Sequence, residues 1–413
     1  MKRARAIAFA AFLVLLAALL VPRPPAWAEE QGGEKEGTPD VSRLLPFGLR
    51  ALGPDWALER EAPRRRGAVR RGLDWLAAHQ AKSGSWEVVE GKTFYGAGVT
   101  GLALSAFLSA GATGKDASPY ADAVARGLAW LVSVQDREGC VGPRSSQHFI
   151  YNHAYATLAL VEAYGLTGDE RWKKAAQRGL DFSFFARNPG AAWRYGAKPG
   201  DNDVSVTGSM MLAICAAYDL NRAAQAADLV PPFRIDETVF EGVRSFLESM
   251  TDPTYGRTGY ITRGGQPARP LELIDRFPSD FSESLTAVGI HMRLTMPGGD
   301  EAHDRKMIAL GTKLLLRQLP RWDPEAGRDL YYWHHGSLAM ARLGGEAGAR
   351  WDQAVVDALV PAQVQDGKVT DHLGSWDPVT VWAPDGGRVY TTAMAVLCLQ
   401  AGQRFPTEDA LDA

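Results

Sequence analysis

Two kinds of apolar segment alternate along most of this chain. The first is amphipathic. In Arg71-Gly72-x-x-Trp75-Leu76 and Arg126-Gly127-x-x-Trp130-Leu131, apolar residues recur at helical spacing among charged ones. The second is almost wholly apolar and rich in small residues, at 98–109, 154–164, 208–218, 284–294, 335–343 and 393–400. A helix with one apolar stripe faces solvent, whereas a helix that is apolar all round is enclosed by protein. No stretch shows the period-2 alternation of a half-buried strand, so the pattern predicts an all-α protein of paired outer and inner helices.

The pairs are repeats. Arg71-Gly72-x-x-Trp75-Leu76-x-x-x-Gln80-x-x-x-Gly84-x-Trp86 returns as Arg126-Gly127-x-x-Trp130-Leu131-x-x-x-Gln135-x-x-x-Gly139, with Val141 in place of the last Trp. A weaker copy runs from Arg178-Gly179-x-x-Phe182 to Gly190 and Trp193. Looser ones follow near Phe246-Leu247, at 314–318 and at 355–363, the last ending in Gly374-Ser375-Trp376. Self-similarity at a period of about 50 residues marks a repeat architecture. About six helix pairs closing on themselves give an (α/α)6 toroid around a central cavity. The Gln and Trp read as a structural clasp: the amide satisfies backbone groups at a helix end, Gly permits the turn, and the indole packs over it.

The first copy resembles the "QW" motif of squalene and oxidosqualene cyclases, within the prenyltransferase/squalene-cyclase (squalene oxidase) repeat family. The toroid implied is the one shared with protein prenyltransferase β-subunits and complement-like thioester domains. The resemblance spans roughly Arg64 to Gln403. It implies a fold at residues 67–404 far more strongly than an activity.

The ends add compartment. Lys2, Arg3 and Arg5 precede an apolar run from Ala6 to Val21, then Pro22, Pro24, Pro25 and Ala26-Trp27-Ala28. This is the layout of a cleaved signal peptide over 1–28, so the expected protein is periplasmic or secreted, with no stable transmembrane anchor after cleavage. A polar linker is expected at 29–66 and a short acidic tail at 405–413. Three cysteines, Cys140, Cys215 and Cys398, allow at most one disulfide and show no metal-ligand spacing. A net charge of −3 over 413 residues, without a Lys/Arg stripe, gives no footprint for nucleic acid.

Candidate chemistry sits where the inner helices start, at the expected cavity mouth. Aligning those helices on Leu102-Ala-Leu, Leu158-Ala-Leu, Leu212-Ala-Ile, Leu338-Ala-Met and Leu397-Cys-Leu gives a column of Tyr95, Tyr151, Ser205, Phe281, Tyr331 and Tyr390. Two residues along lie His153, Glu283 and Trp333. Such a rim suits an elongated apolar, isoprenoid-like ligand, with Asp203 and Glu283 as candidate acids. The family's chemistries fit poorly. The prenyltransferase zinc pattern finds Asp280 but Ser282 and Tyr332 in place of thiolate and imidazole, so neither metal nor cofactor is expected. The Asp-x-Asp-Asp of class II cyclases is represented only by Asp201-Asn-Asp203-Val204, and Gly139-Cys140 lacks the thioester context. The main expectation is therefore a binder of an apolar small molecule, with catalysis open. One alternative is a non-catalytic scaffold for an unknown protein partner. The other is a carbohydrate-active toroid using Asp203 and Glu283 as a carboxylate pair.

Overall fold

The structure, a computed structural model, describes residues 63–87, 93–115, 117–145, 148–367 and 369–404. The expected signal segment, the linker up to residue 62 and the 405–413 tail lie outside the described residues. Among those described, twelve α-helices follow in order: α1 (Pro63–Ala78), α2 (Gly96–Ser109), α3 (Ala121–Ser133), α4 (Phe149–Thr167), α5 (Glu170–Ala186), α6 (Val204–Ala226), α7 (Thr238–Met250), α8 (Ser284–Thr295), α9 (Glu301–Leu315), α10 (Leu330–Leu343), α11 (Gly345–Leu359) and α12 (Ala383–Arg404). Only two isolated β-bridges accompany them. None of these helices is long and apolar enough to cross a membrane.

The even-numbered helices form the inner ring. Each packs on the next, and α12 packs back on α2. Their composition explains their place: α2 is buried at every position from Ala97 to Leu108. The odd-numbered helices bury a single stripe, as α3 does with Ala123, Val124, Gly127, Leu128 and Leu131. The chain is thus an all-α toroid of six helix pairs. Its first helix starts at Pro63, four residues before the sequence placed the ring, because proline fits a first helical turn. Arg65, in that turn, pairs with Asp352 of α11.

The clasps close the ring. The Gln80 amide donates to Gly84 O at 2.8 Å and to Ala123 O of the next outer helix at 2.8 Å. Gln135 does the same with Gly139 O and Ala175 O, and Gln363 with Gly374 O and Ala68 O. Ala68, Ala123 and Ala175 each stand four residues before the Gly of an Arg-Gly pair, so the sixth repeat grips the first as the first grips the second. Gly84, Gly139 and Gly374 have φ of 95°, 95° and 90°, and a Cβ on any of them would lie 2.1–2.6 Å from the carbonyl oxygen of Arg126, Arg178 or Arg71. Trp86, Trp193 and Trp376 are fully buried, with indole N–H groups donating to Leu76 O, Ser183 O and Leu359 O at 2.7–2.8 Å. Gly127 and Gly72 make room for the Trp86 and Trp376 rings. The three cysteines are free and buried.

A candidate active site at the inner-helix starts

A recurring hydrogen bond sets the register of the inner helices. The backbone N–H groups of Trp86, Val141, Trp193, Thr258 and Trp376 donate to Thr100 Oγ1, His153 Nδ1, Thr207 Oγ1, Thr286 Oγ1 and Thr392 Oγ1 at 2.9–3.3 Å. Two residues before these acceptors stand Gly98, Tyr151, Ser205, Ser284 and Tyr390. All five, with Tyr331 of α10, line one central cavity holding about 960 Å³ of empty space including its open mouth. Tyr95 and Phe281 therefore sit three residues, nearly one helical turn, ahead of the repeating position. Tyr95 still lines the cavity, from a 3-10 turn that leads into α2. Phe281 is 37% exposed and does not.

His153, Glu283 and Trp333 also lie elsewhere. His153 replaces the threonine of the recurring bond. It accepts at Nδ1 and contacts Ser183 Oγ through Nε2 at 3.0 Å, and burial pushes its pKa down to about 3. It is a neutral core imidazole. Trp333 is buried against Trp322. Glu283 faces a separate recess, where Arg257 Nε lies 3.1 and 3.3 Å from its two oxygens and the Thr286 hydroxyl donates to it at 2.8 Å. Glu283 thus lines this recess, whereas Asp203 lines neither the recess nor the central cavity. Of the zinc-pattern positions, the Gln266 amide donates to Asp280, Ser282 donates to Asp329, and the Tyr332 hydroxyl donates to Gln318 O.

Tyrosine is the commonest residue of the cavity wall, and several of the hydroxyls are hydrogen-bonded in short chains. Tyr151 Oη lies 2.8 Å from Ser205 Oγ, which lies 3.1 Å from Tyr331 Oη. Tyr95 Oη meets His148 Nδ1 at 2.9 Å, and the His148 ring packs on Tyr195 with centroids 4.6 Å apart. Tyr195 Oη lies 2.7 Å from Tyr260 Oη, which donates to Asp203 Oδ2 at 3.4 Å. Asp203 has no exposed surface. It caps α6 by accepting from Val206 N at 2.7 Å, and Arg194 Nε stands 3.7 Å away. Burial outweighs those stabilising contacts and raises its pKa to about 7. Its contact with the cavity wall is the Tyr260 hydroxyl, and a buried carboxyl shifted in this way beside a cavity is a candidate functional group.

Three further polar or aromatic groups belong to the lining. Arg269 is held by Asp329 Oδ2 at 2.7 Å and by the Phe277 and Ala268 carbonyls. Trp382 and Asp385 come from the chain leading into the main part of α12, whose helix is interrupted at Gly387 (φ 63°, ψ −162°). Burial and the neighbouring Asp385 carboxylate raise the Tyr95 hydroxyl pKa to about 12, so Asp385 stands near the Tyr95–His148 pair. The Trp382 indole N–H and the Ser284 hydroxyl have no hydrogen-bond partner. The sequence reading overlooked Tyr155, Tyr195, Tyr260, Arg269, Trp382 and Asp385. Two carried a usable signal: Tyr195 and Tyr260 each follow by two residues the residue whose N–H makes the recurring bond.

No family model matches the chain, and no curated protein matches it. Solved structures do. An inactive variant of an α-1,6-mannanase from a Salegentibacter species, in complex with α-1,6-mannotetrose, is similar at a TM-score of 0.56. Its identity is 10%, over 82% of this chain and 98% of that one. An α-amylase from Clostridium perfringens is similar at 0.52, with 12% identity over 81% and 97% of the two chains. A type II terpene cyclase from Scytonema reaches 0.46 with 12% identity over 83% and 97%, too low to carry an argument. At these identities the likeness defines the class of fold, an α/α toroid, and nothing finer.

Proposed function

We propose that this protein is a carbohydrate-active toroid that seats a glycan end in the tyrosine-lined cavity and protonates its glycosidic oxygen. The observation that carries the reading is Asp203: a carboxyl buried beneath the cavity, titrating near 7, with Tyr260 as its contact to the lumen. When protonated, Asp203 reverses that hydrogen bond and donates to the Tyr260 oxygen, passing its proton there while the Tyr260 hydroxyl gives its own to the leaving oxygen. The net transfer is one proton from Asp203 to the ligand, which leaves a carboxylate beside Arg194. Asp385, in the same lining beside Tyr95 and His148, is the second carboxylate offered to activate water or meet the developing positive charge. Tyr95, Tyr151, Tyr331 and Tyr390 supply ring faces and hydroxyls, the usual means of holding a sugar's apolar face and polar edge. Trp382 and Ser284 support an oxygen-bearing ligand over a hydrocarbon, since a buried donor without a partner costs about 1–3 kcal/mol until an acceptor arrives. The mannanase and amylase with the same ring suggest which glycans to try first.

The test is turnover of manno- and gluco-oligosaccharides, read as new reducing ends. It is compared with Tyr260→Phe and with lipid extraction and mass spectrometry of the native protein. Cleavage lost in Tyr260→Phe supports the proposal. An extracted isoprenoid with no glycan bound or cleaved overturns it in favour of an apolar ligand, a reading that Val99, Leu102 and Leu285 in the same wall would then explain.

A further inference from the structure

Beside the cavity lies a second, polar recess with about 450 Å³ of empty space. Pro267 and Leu285 line both chambers, so the two adjoin across the strap of chain that carries Gln266, Pro267 and Arg269. Their linings differ sharply. The cavity presents tyrosine rings, whereas the recess presents the Arg257–Glu283 pair and the Gln266 amide, which donates to Asp280 Oδ1 at 2.6 Å. Arg257 is 42% exposed while Glu283 is 6% exposed, so the carboxylate fixes the guanidinium and leaves part of it open to a visitor. An arginine held by a carboxylate is preorganised to donate to neutral oxygens, because its orientation is already set and its charge already balanced. A chamber with such donors and little aromatic surface suits hydroxyl groups better than a hydrocarbon chain.

We propose that this recess is a second subsite, taking the continuation of the same glycan beyond the two units seated in the cavity. Arg257 and Gln266 contact its hydroxyls. The inference rests on the carbohydrate reading of the cavity and adds that the ligand is a chain of three or more sugars. Glu283 is then a positioning residue, acting through Arg257 rather than on the reacting bond.

The test is calorimetric binding of manno- and gluco-oligosaccharides of two to six units to wild type, Arg257→Ala and Gln266→Ala. Gln266 is a loop residue, so that variant keeps the core whatever Arg257→Ala does to folding. Affinity should rise with length, and both variants should bind the longest chains about tenfold more weakly while binding disaccharides as wild type does. Binding that is independent of length and unchanged in both variants overturns the second subsite and leaves the cavity reading standing. Absence of binding by every oligosaccharide overturns the cavity reading, and this inference with it.

Discussion

Replacing Asp203 by Asn should make the folded protein more stable at alkaline pH. The unfolded chain releases this proton near 3.8, whereas burial holds it in the folded state to about 7. Between those values the folded state binds more protons than the unfolded one, so stability falls as pH rises through the window. A shift of one unit is 1.36 kcal/mol, so the ionised carboxylate costs roughly 4 kcal/mol once pH exceeds 7. Asn cannot ionise, yet it retains an oxygen to accept the Val206 N–H, and Asn and Asp are equivalent N-caps. Urea unfolding at about pH 5.5 and about pH 8.5 should therefore show the variant gaining on wild type by about 2 kcal/mol between the two. A variant less stable than wild type by the same amount at both values would refute the reasoning and reduce Asp203 to a cap. A destabilising group at a cavity wall is what function costs a fold.

Other consequences follow from the ring and its core. Trp86→Ala should cost roughly 3–5 kcal/mol, because a fully buried indole and its bond to Leu76 O are both lost; denaturant unfolding checks this, and a loss under 1 kcal/mol would contradict it. Gln363→Ala leaves the Gly374 and Ala68 carbonyls unpaired where the ring closes, so hydrogen exchange should speed up in α1 and α12 before the other helices. Exchange that speeds up evenly would argue against closure at that clasp. Burial depresses His153 and His291 to about 3 and His334 to about 4, and holds His335 well below the ordinary imidazole value. The unfolded state therefore binds more protons below about 6.5, and each histidine removes about 1.4 kcal/mol per pH unit as pH falls below that point. Asp203 opposes the trend by one proton. His334→Leu should flatten the decline by one proton, and an unchanged slope between about pH 5 and 6 would exclude His334 from it.

The fold was legible because its repeats are written in side-chain chemistry. Arg-Gly, Gln, Gly and Trp each meet one need at one place, and the sequence shows the set twice nearly complete. The site was less legible for two physical reasons. A helical face recurs every three to four residues, so an alignment on Leu-Ala-Leu can slip a turn unnoticed, and at Tyr95 and Phe281 it did. The recurring acceptor in the next turn, threonine in four repeats and His153 in one, was the better anchor. Glu283 was matched to Asp203 on type and position, but its partner Arg257 lies in the connection between α7 and α8. That connection also supplies Tyr260 and Arg269, and periodicity says nothing about where a loop folds back. Asp385 was hidden by the kink at Gly387, which no apolar pattern records. The resemblance to the Gln/Trp repeat family pointed to the toroid, and the comparisons carry it no further.

The most direct test of the account is the pH dependence of glycan cleavage by wild type and Tyr260→Phe. A proton donor titrating near 7 predicts activity that is high below that pH and falls as it is passed, with Tyr260→Phe slower by about 10²–10⁴. Cleavage that keeps its rate well above pH 7, or that Tyr260→Phe leaves unchanged, would contradict the relay from Asp203.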